Sequence, residues 1–266
     1  MKFAVSTVGM PGQTLGMALM VAAEAGCAGV TLRLHPDAGV YLGMTKSQRT
    51  GVREAVAAEE LEIVALAGYA RIAASGPDAP VIAQLTAGLT LAHDLGAGGL
   101  RVFPGGPDVG AAARRVRAAV DDSPGDAKIF VETYGDMPTG QAVARLLDVV
   151  ALPERTAAVW DLLHPWRHGE VPGETLSALA GRLGYVQLKD VVSATDLTPV
   201  PPGAGAVPLR AAGELLRDAG YAGWASLEWE RTWYPRVGSV MKVLPAARAW
   251  VKEFSRTVPP DSPPSP

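Results

Sequence analysis

The chain has 266 residues, of which 48% are hydrophobic and 19% charged, enough to bury one barrel-sized core or two smaller ones. Its formal charge is −3 and its 24 basic residues are scattered, which excludes the basic stripe that holds a phosphate backbone, so nucleic acid is not an expected partner. Its single cysteine, Cys27, excludes an internal disulfide and a four-cysteine zinc site and suits a reducing cytoplasm.

The opening MKFAVSTVGMPG is too short in its apolar stretch and too weakly charged for a signal peptide, and no later run has the length of a membrane span. A cytoplasmic protein with no membrane partner is expected. Strand-like runs then take turns with amphipathic segments along the chain. KFAVST (2–7) precedes a helix near 13–26, and GVTLRL (29–34) precedes one at 45–60. EIVALAGY (62–69) is followed by a helix near 80–96, GLRVFPG (99–105) by 109–122, and KIFVET (128–133) by 140–150. TAAVWD (156–161), YVQLKD (185–190) and WASLEWE (224–230) are followed by helices near 174–183, 209–219 and 236–254.

Eight βα repeats in a chain of this length predict a (β/α)8 TIM barrel as a single domain over 1–256, because right-handed crossovers place every helix outside a closed parallel sheet. A doubly wound open sheet is the rival, weakened because TVGMPG lacks the GxGxxG spacing after the first strand. The proline-rich end TVPPDSPPSP (257–266) has no apolar periodicity and is expected to be disordered.

A barrel places its chemistry at the C-terminal ends of its strands. There the fifth strand ends in Glu132 and the sixth in Asp161; the seventh carries Gln187, Lys189 and Asp190, and the eighth Glu228 and Glu230. Alternation puts Gln187 with Lys189 on one face, and Ser226, Glu228 and Glu230 on one face. Each acid alone could cap a helix or close a turn. Three of them converging in a barrel mouth need a proton or a cation to offset their repulsion, and a divalent metal is the economical answer.

The glutamate ending strand 5, the Asp-x-x-His of WDLLHPWRHGE, the VQLKD of strand 7 and GYAGWASLEWE resemble the sugar phosphate isomerase/epimerase group of the xylose isomerase-like TIM barrels. AGCAGVTLRL and PVPPGAGAVPL extend the likeness to nearly the whole chain, up to about residue 254. The resemblance implies a metal-dependent isomerase or epimerase that moves a proton through a metal-stabilised enediolate. It assigns Glu132, Asp161, Gln187 and Glu228 as metal ligands, Glu132 and Glu228 also as the bases, and His164 to the substrate beside the metal. Gln187 stands where many relatives carry histidine. Its amide keeps the charge balance but offers a hard oxygen, which favours Mn2+ or Mg2+. Thr31 stands where relatives commonly carry glutamate.

Lys189 could hold a substrate hydroxyl or anionic group, or pair with Asp190 in an exposed loop. His35 and Trp166 are weaker candidates for substrate contact, and Trp233 could serve as substrate wall, lid packing or subunit contact. Arg33 is a candidate for a polar core layer, Trp229 for the helix layer, His93 for a helix end, and Arg167 and His168 for a solvated loop. A small carbohydrate-like molecule is the implied substrate, with room for a homo-oligomer, since such barrels often pair through their helices. The alternatives are a lyase or dehydratase acting on a keto-sugar or inosose, and a non-catalytic sugar-binding or partner subunit. The DNA-repair endonuclease branch, which needs a histidine-rich zinc cluster, is disfavoured by a count of four histidines.

Overall fold

A computed structural model describes residues 1–255, and the tail expected to be disordered, 257–266, lies outside the described residues. Eight strands close into one parallel barrel in chain order. They are β1 (Lys2–Ser6), β2 (Gly29–Arg33), β3 (Glu62–Arg71), β4 (Gly99–Phe103), β5 (Lys128–Glu132), β6 (Thr156–Asp161), β7 (Leu183–Leu188) and β8 (Trp224–Leu227). The helices are α1 (Leu15–Glu24), α2 (Lys46–Ala58), α3 (Asp78–Leu95), α4 (Val109–Asp121), α5 (Gly140–Val150), α6 (Leu163–Arg167), α7 (Pro172–Ala178), α8 (Leu209–Asp218) and α9 (Leu244–Phe254). Thus all eight expected βα units are present and the open-sheet rival is excluded.

Local chemistry explains the helix boundaries. Thr14, Asp108 and Thr139 accept N-terminal backbone hydrogen bonds, and Thr45 with Gln48 forms a full capping box on α2. Gly96 ends α3 in the left-handed conformation that glycine adopts freely. The last helix is shorter than expected. Residues before it make a 3-10 turn at Val240–Lys242, and α9 then starts at Leu244 with Pro245 in its first turn. The run after Asp161 also departs from expectation, because Leu163–Arg167 is a short helix and not a loop.

Strand alternation divides the apolar residues into two cores. The larger lies between barrel and helices, while Ala4, Val64, Ala65, Phe130, Ala157, Val159 and Tyr185 fill the barrel interior. Phe130 and Tyr185 meet edge to face, with ring centroids 5.6 Å apart. Glycines on β4 and β7 make room for Phe130: a Cβ on Gly184 would lie 2.6 Å from its ring, and one on Gly99 2.8 Å. Two residues on from Phe130, Val159 and Tyr185 stand Glu132, Asp161 and Gln187. An apolar layer of the interior therefore lies beneath a polar one. The register sets Asp161 beside Gln187 and Gln187 beside Ser226.

Candidate active site at the mouth of the barrel

The polar layer opens into a cavity of about 540 Å³ lined by Arg101, Glu132, His164, Lys189, Glu228 and Glu230, with Tyr69, Phe103, Tyr134, Trp233 and Tyr234 among its walls. Ligand sites of this size on barrels sit at this end of the strands. Glu132, Asp161, Gln187, Lys189 and Glu228 are all buried. Strand ends and their first loop residues position them, so the backbone ladder holds their spacing.

Asp161 divides its two oxygens between structure and site. Oδ1 accepts the Leu163 amide at 2.8 Å, closing the turn into α6, and Oδ2 faces the other acids. That turn carries His164 back over the mouth, with Nε2 3.8 Å from Asp161 Oδ2 and its ring edge-on to Tyr134. Burial, opposed by Asp161, pushes the imidazole down to about 4, so it is neutral at neutral pH. One donor atom each from Glu132, Asp161 and His164 lies within 4.8 Å of the others, a group that could hold a metal ion. Among the described residues neither Glu132 Oε2 nor His164 Nε2, both buried, has a hydrogen-bond partner; Oε2 has Arg101 Nη1 beside it at 3.2 Å, which leaves His164 Nε2 as the atom most open to a ligand. The residues present therefore fit a divalent cation. The structure groups His164 with the acids as a possible donor, whereas the sequence resemblance placed it on the substrate.

The neighbouring nitrogen groups show what else offsets the acids. Gln187 points its amide nitrogen inward, donating to Asp161 Oδ2 and Glu228 Oε2 at 2.8 Å each and to Glu132 Oε1 at 3.4 Å. The resemblance puts its amide oxygen at the metal position, and turning the amide over would bring Oε1 there. Lys189 is no exposed loop lysine. It is 4% exposed, and Nζ lies 2.9 Å from Asp161 Oδ2, 2.6 Å from Glu228 Oε2 and 3.1 Å from Glu230 Oε1. Burial alone would drive its proton off, but Asp161 and the two glutamates hold its pKa well above the ordinary lysine value. Asp190 turns the other way, accepting the amides of Val191, Gly203, Gly205 and Val207 and so pinning the glycine-bearing loop.

Arg101 was missed by the sequence reading. It rises from β4 with Nη1 3.2 Å from Glu132 Oε2 and Nη2 3.9 Å from Glu228 Oε1, under the rings of Phe103 and Tyr69. The signal was an arginine inside the otherwise apolar strand GLRVF. Burial pushes Glu132 up to about 8, with Arg101 opposing and Glu228 and Asp161 adding to the rise. Four carboxylates, counting Glu230, thus face two cations, and two negative charges are left over when all are ionised. A divalent ion would match that remainder.

Other candidates fall outside the cavity or take secondary places in it. His35 caps a 3-10 turn, accepting from the Asp37 amide, and is not among the cavity-lining residues. Trp166 packs over a separate crevice with Trp160, Pro165 and Pro172. Neither His35 nor Trp166 is among the residues that line the mouth cavity. Trp229 is buried in the helix layer and donates to the Gly238 carbonyl, whereas Trp233 lines the mouth and is 50% exposed. Arg167 and His168 line the mouth too, the ring of His168 being held by the His164 carbonyl. Arg33 bonds Tyr69 and not the acids, and Thr31 shares a hydrogen bond with Ser226.

A family model for the xylose isomerase-like TIM barrel matches residues 19–254. The chain belongs to this family. None of the curated proteins matches it. Among solved structures, this family member is similar to a probable 3-DHS dehydratase, AsbF, involved in petrobactin synthesis from Bacillus anthracis, at 19% identity and a TM-score of 0.77 over 95% of this chain and 99% of that one. It is similar to the IOLI protein with a bound zinc atom at 15% identity and TM-score 0.77, covering 96% and 98%. A D-psicose 3-epimerase in the presence of D-fructose follows the same fold at 14% identity and TM-score 0.76, covering 96% and 99%. No helix among the described residues is long and apolar enough to cross a membrane.

Proposed function

We propose that this family member is a divalent-metal-dependent isomerase or epimerase of a carbohydrate-like small molecule: a sugar, a sugar phosphate or a keto-polyol. The reading rests on the convergence of Glu132, Asp161, Gln187 and Glu228 from the ends of four successive strands, Gln187 linking the three acids, with Glu132, Glu228 and His164 facing the cavity. These four groups would hold the ion, and their hard oxygens favour Mn2+ or Mg2+. Once bound, it would supply positive charge to a substrate carbonyl and the adjacent hydroxyl.

The chain's own groups would do the proton chemistry. Glu132 and Glu228 reach the cavity from strands β5 and β8, so one could take a proton from the carbon beside the carbonyl and the other return it. Burial raises the proton affinity of Glu132 in the metal-free site, and an ion held by this residue would act in the opposite sense. His164 would steady a substrate oxygen, and the aromatic walls would exclude water from the reacting carbon. The similar folds of an epimerase and a probable dehydratase support this class of proton transfer.

A lyase reading is favoured by one further contact. Lys189 lines the same cavity, and its ammonium beside Glu228 could hydrogen-bond a departing hydroxyl and stabilise its negative charge. Solvent deuterium exchange into a panel of ketoses, inososes and keto-glycosides, with Mn2+ added, separates the readings. Exchange with no elimination, lost in Glu132→Gln and Glu228→Gln, is the expected result. Loss of water or an aglycone would establish the lyase, and absence of exchange throughout would leave a carbohydrate-binding subunit.

A further inference from the structure

Two carboxylate oxygens at the centre of the site, Asp161 Oδ2 and Glu228 Oε2, are each bridged by the same two nitrogen donors. Gln187 Nε2 lies 2.8 Å from both, and Lys189 Nζ lies 2.9 Å from the first and 2.6 Å from the second. These are two of the oxygens that the reading of a metal enzyme needs. A hard divalent ion would sit at about 2.1 Å from such oxygens. An ammonium sharing the same pair would then stand against it as a like charge in a buried site, where repulsion is weakly screened.

The two donors differ in how they can yield. The Gln187 amide needs only to turn over, exchanging Nε2 for Oε1 and a donor for an acceptor. Lys189, while it keeps its proton, has only donors to offer and must move. It already has somewhere to go, because Nζ lies 3.1 Å from Glu230 Oε1, and the Glu230 side chain, 22% exposed, stands closer to solvent than the other two acids. Arg101 offers no such choice, being 2% exposed, set in the barrel and paired with Glu132.

We infer that Lys189 is an internal rival of the divalent ion, seated on Asp161 and Glu228 and transferred to Glu230 as the ion enters and the Gln187 amide turns over. The inference rests on the metal-dependent reading above. It makes metal affinity a property of Lys189 and Glu230 as well as of the ligands, and it predicts opposite signs for their removal. Without the rival the ion binds more tightly. Without Glu230 the ammonium is left on the ligand oxygens, and the ion binds less tightly.

Calorimetric titration of the full chain with MnCl2 tests this without any substrate. Lys189→Met is expected to tighten Mn2+ binding at least tenfold, and Glu230→Gln to weaken it several-fold. Unchanged or weaker binding by a folded Lys189→Met would overturn the rivalry and leave the metal reading standing. Binding by Lys189→Met with none by the wild type would support the rivalry and remove the metal reading for the native chain. No binding by either would overturn both. Should Lys189→Met fail to fold, a crystal structure of the wild type with Mn2+ decides: Nζ is expected beyond hydrogen-bond reach of Asp161 Oδ2 and on Glu230. An ammonium still bridging Asp161 and Glu228 beside a bound ion would sink the inference.

Discussion

Arg101 on β4 and Glu132 on β5 form an ion pair inside the barrel, with 3.2 Å between Nη1 and Oε2 and each side chain 2% exposed. Burial already raises Glu132 to about 8, so without Arg101 it would take up a proton, and what remains is a buried polar group short of a partner, at a cost of about 1–3 kcal/mol. Arg101→Met should therefore lower the unfolding free energy by roughly that much, and activity should fall with it because Glu132 loses the guanidinium that opposes its rise in pKa. Urea denaturation checks the first point. A loss below about 1 kcal/mol would mean that Glu132 finds another partner.

Gln187→His would place a neutral imidazole where a neutral amide now bridges Asp161 and Glu228. The nitrogen donor suits borderline metals better than an amide oxygen does. Zinc affinity is expected to rise about tenfold or more, with a smaller gain for Mg2+. Competition titrations with a chromophoric chelator would measure both, and equal changes for the two ions would contradict the assignment of Gln187 as a ligand.

His164 supplies a pH dependence with a definite sign. Burial holds its folded pKa at about 4, below the ordinary value of 6.5. The unfolded chain therefore binds the proton first as pH falls. Stability associated with the neutral imidazole is complete above pH 6.5 and declines progressively towards pH 4, by on the order of 3 kcal/mol. In His164→Gln that acid limb should flatten, as thermal melts between pH 4 and 7 would show. An unchanged slope would assign it to other groups.

Cys27 is buried, and burial pushes its thiol up to about 12, with Arg248 opposing. The nucleophilic thiolate is scarce at neutral pH for this reason. Labelling by a disulfide reagent should be slow in the folded protein at pH 8 and become fast on adding denaturant. Rapid labelling of the native chain would show that the α1–β2 connection opens readily.

Gly184 tests the packing beneath the site. A Cβ there would lie 2.6 Å from the Phe130 ring, with Ala157 on another side at 3.3 Å. Gly184→Ala should cost about 1–3 kcal/mol, as overpacked cores do. Because Phe130 lies two residues below Glu132 on the same strand face, a shift of that ring should also reach the acids, and KM or kcat measured on the folded fraction should change. Wild-type stability and rates in the variant would show that the interior can relax around the added methyl.

Periodicity along the chain was enough for the eight βα units, and strand parity was enough to put Gln187 with Lys189 on one face and Ser226 with Glu228 and Glu230 on one face. Both signals are local, since a pleated strand alternates its side chains whatever lies across from it. Partner choice is not local. Lys189 reads equally well as a loop cation beside Asp190, and only the pairing of β6 and β8 on either side of β7 brings their acids to within ion-pair reach of it. Arg101 gains its meaning from Glu132 one strand away and Glu228 four strands away. Likewise, the placement of His35 and Trp166 away from the cavity lining and the inward amide nitrogen of Gln187 depend on chain paths and on hydrogen-bond acceptors supplied by other elements. The amino-acid order by itself determined the barrel, its family likeness and the acids at its mouth. Tertiary structure decided which cations answer those acids, because charge pairing in a closed barrel is settled across strands and not along them.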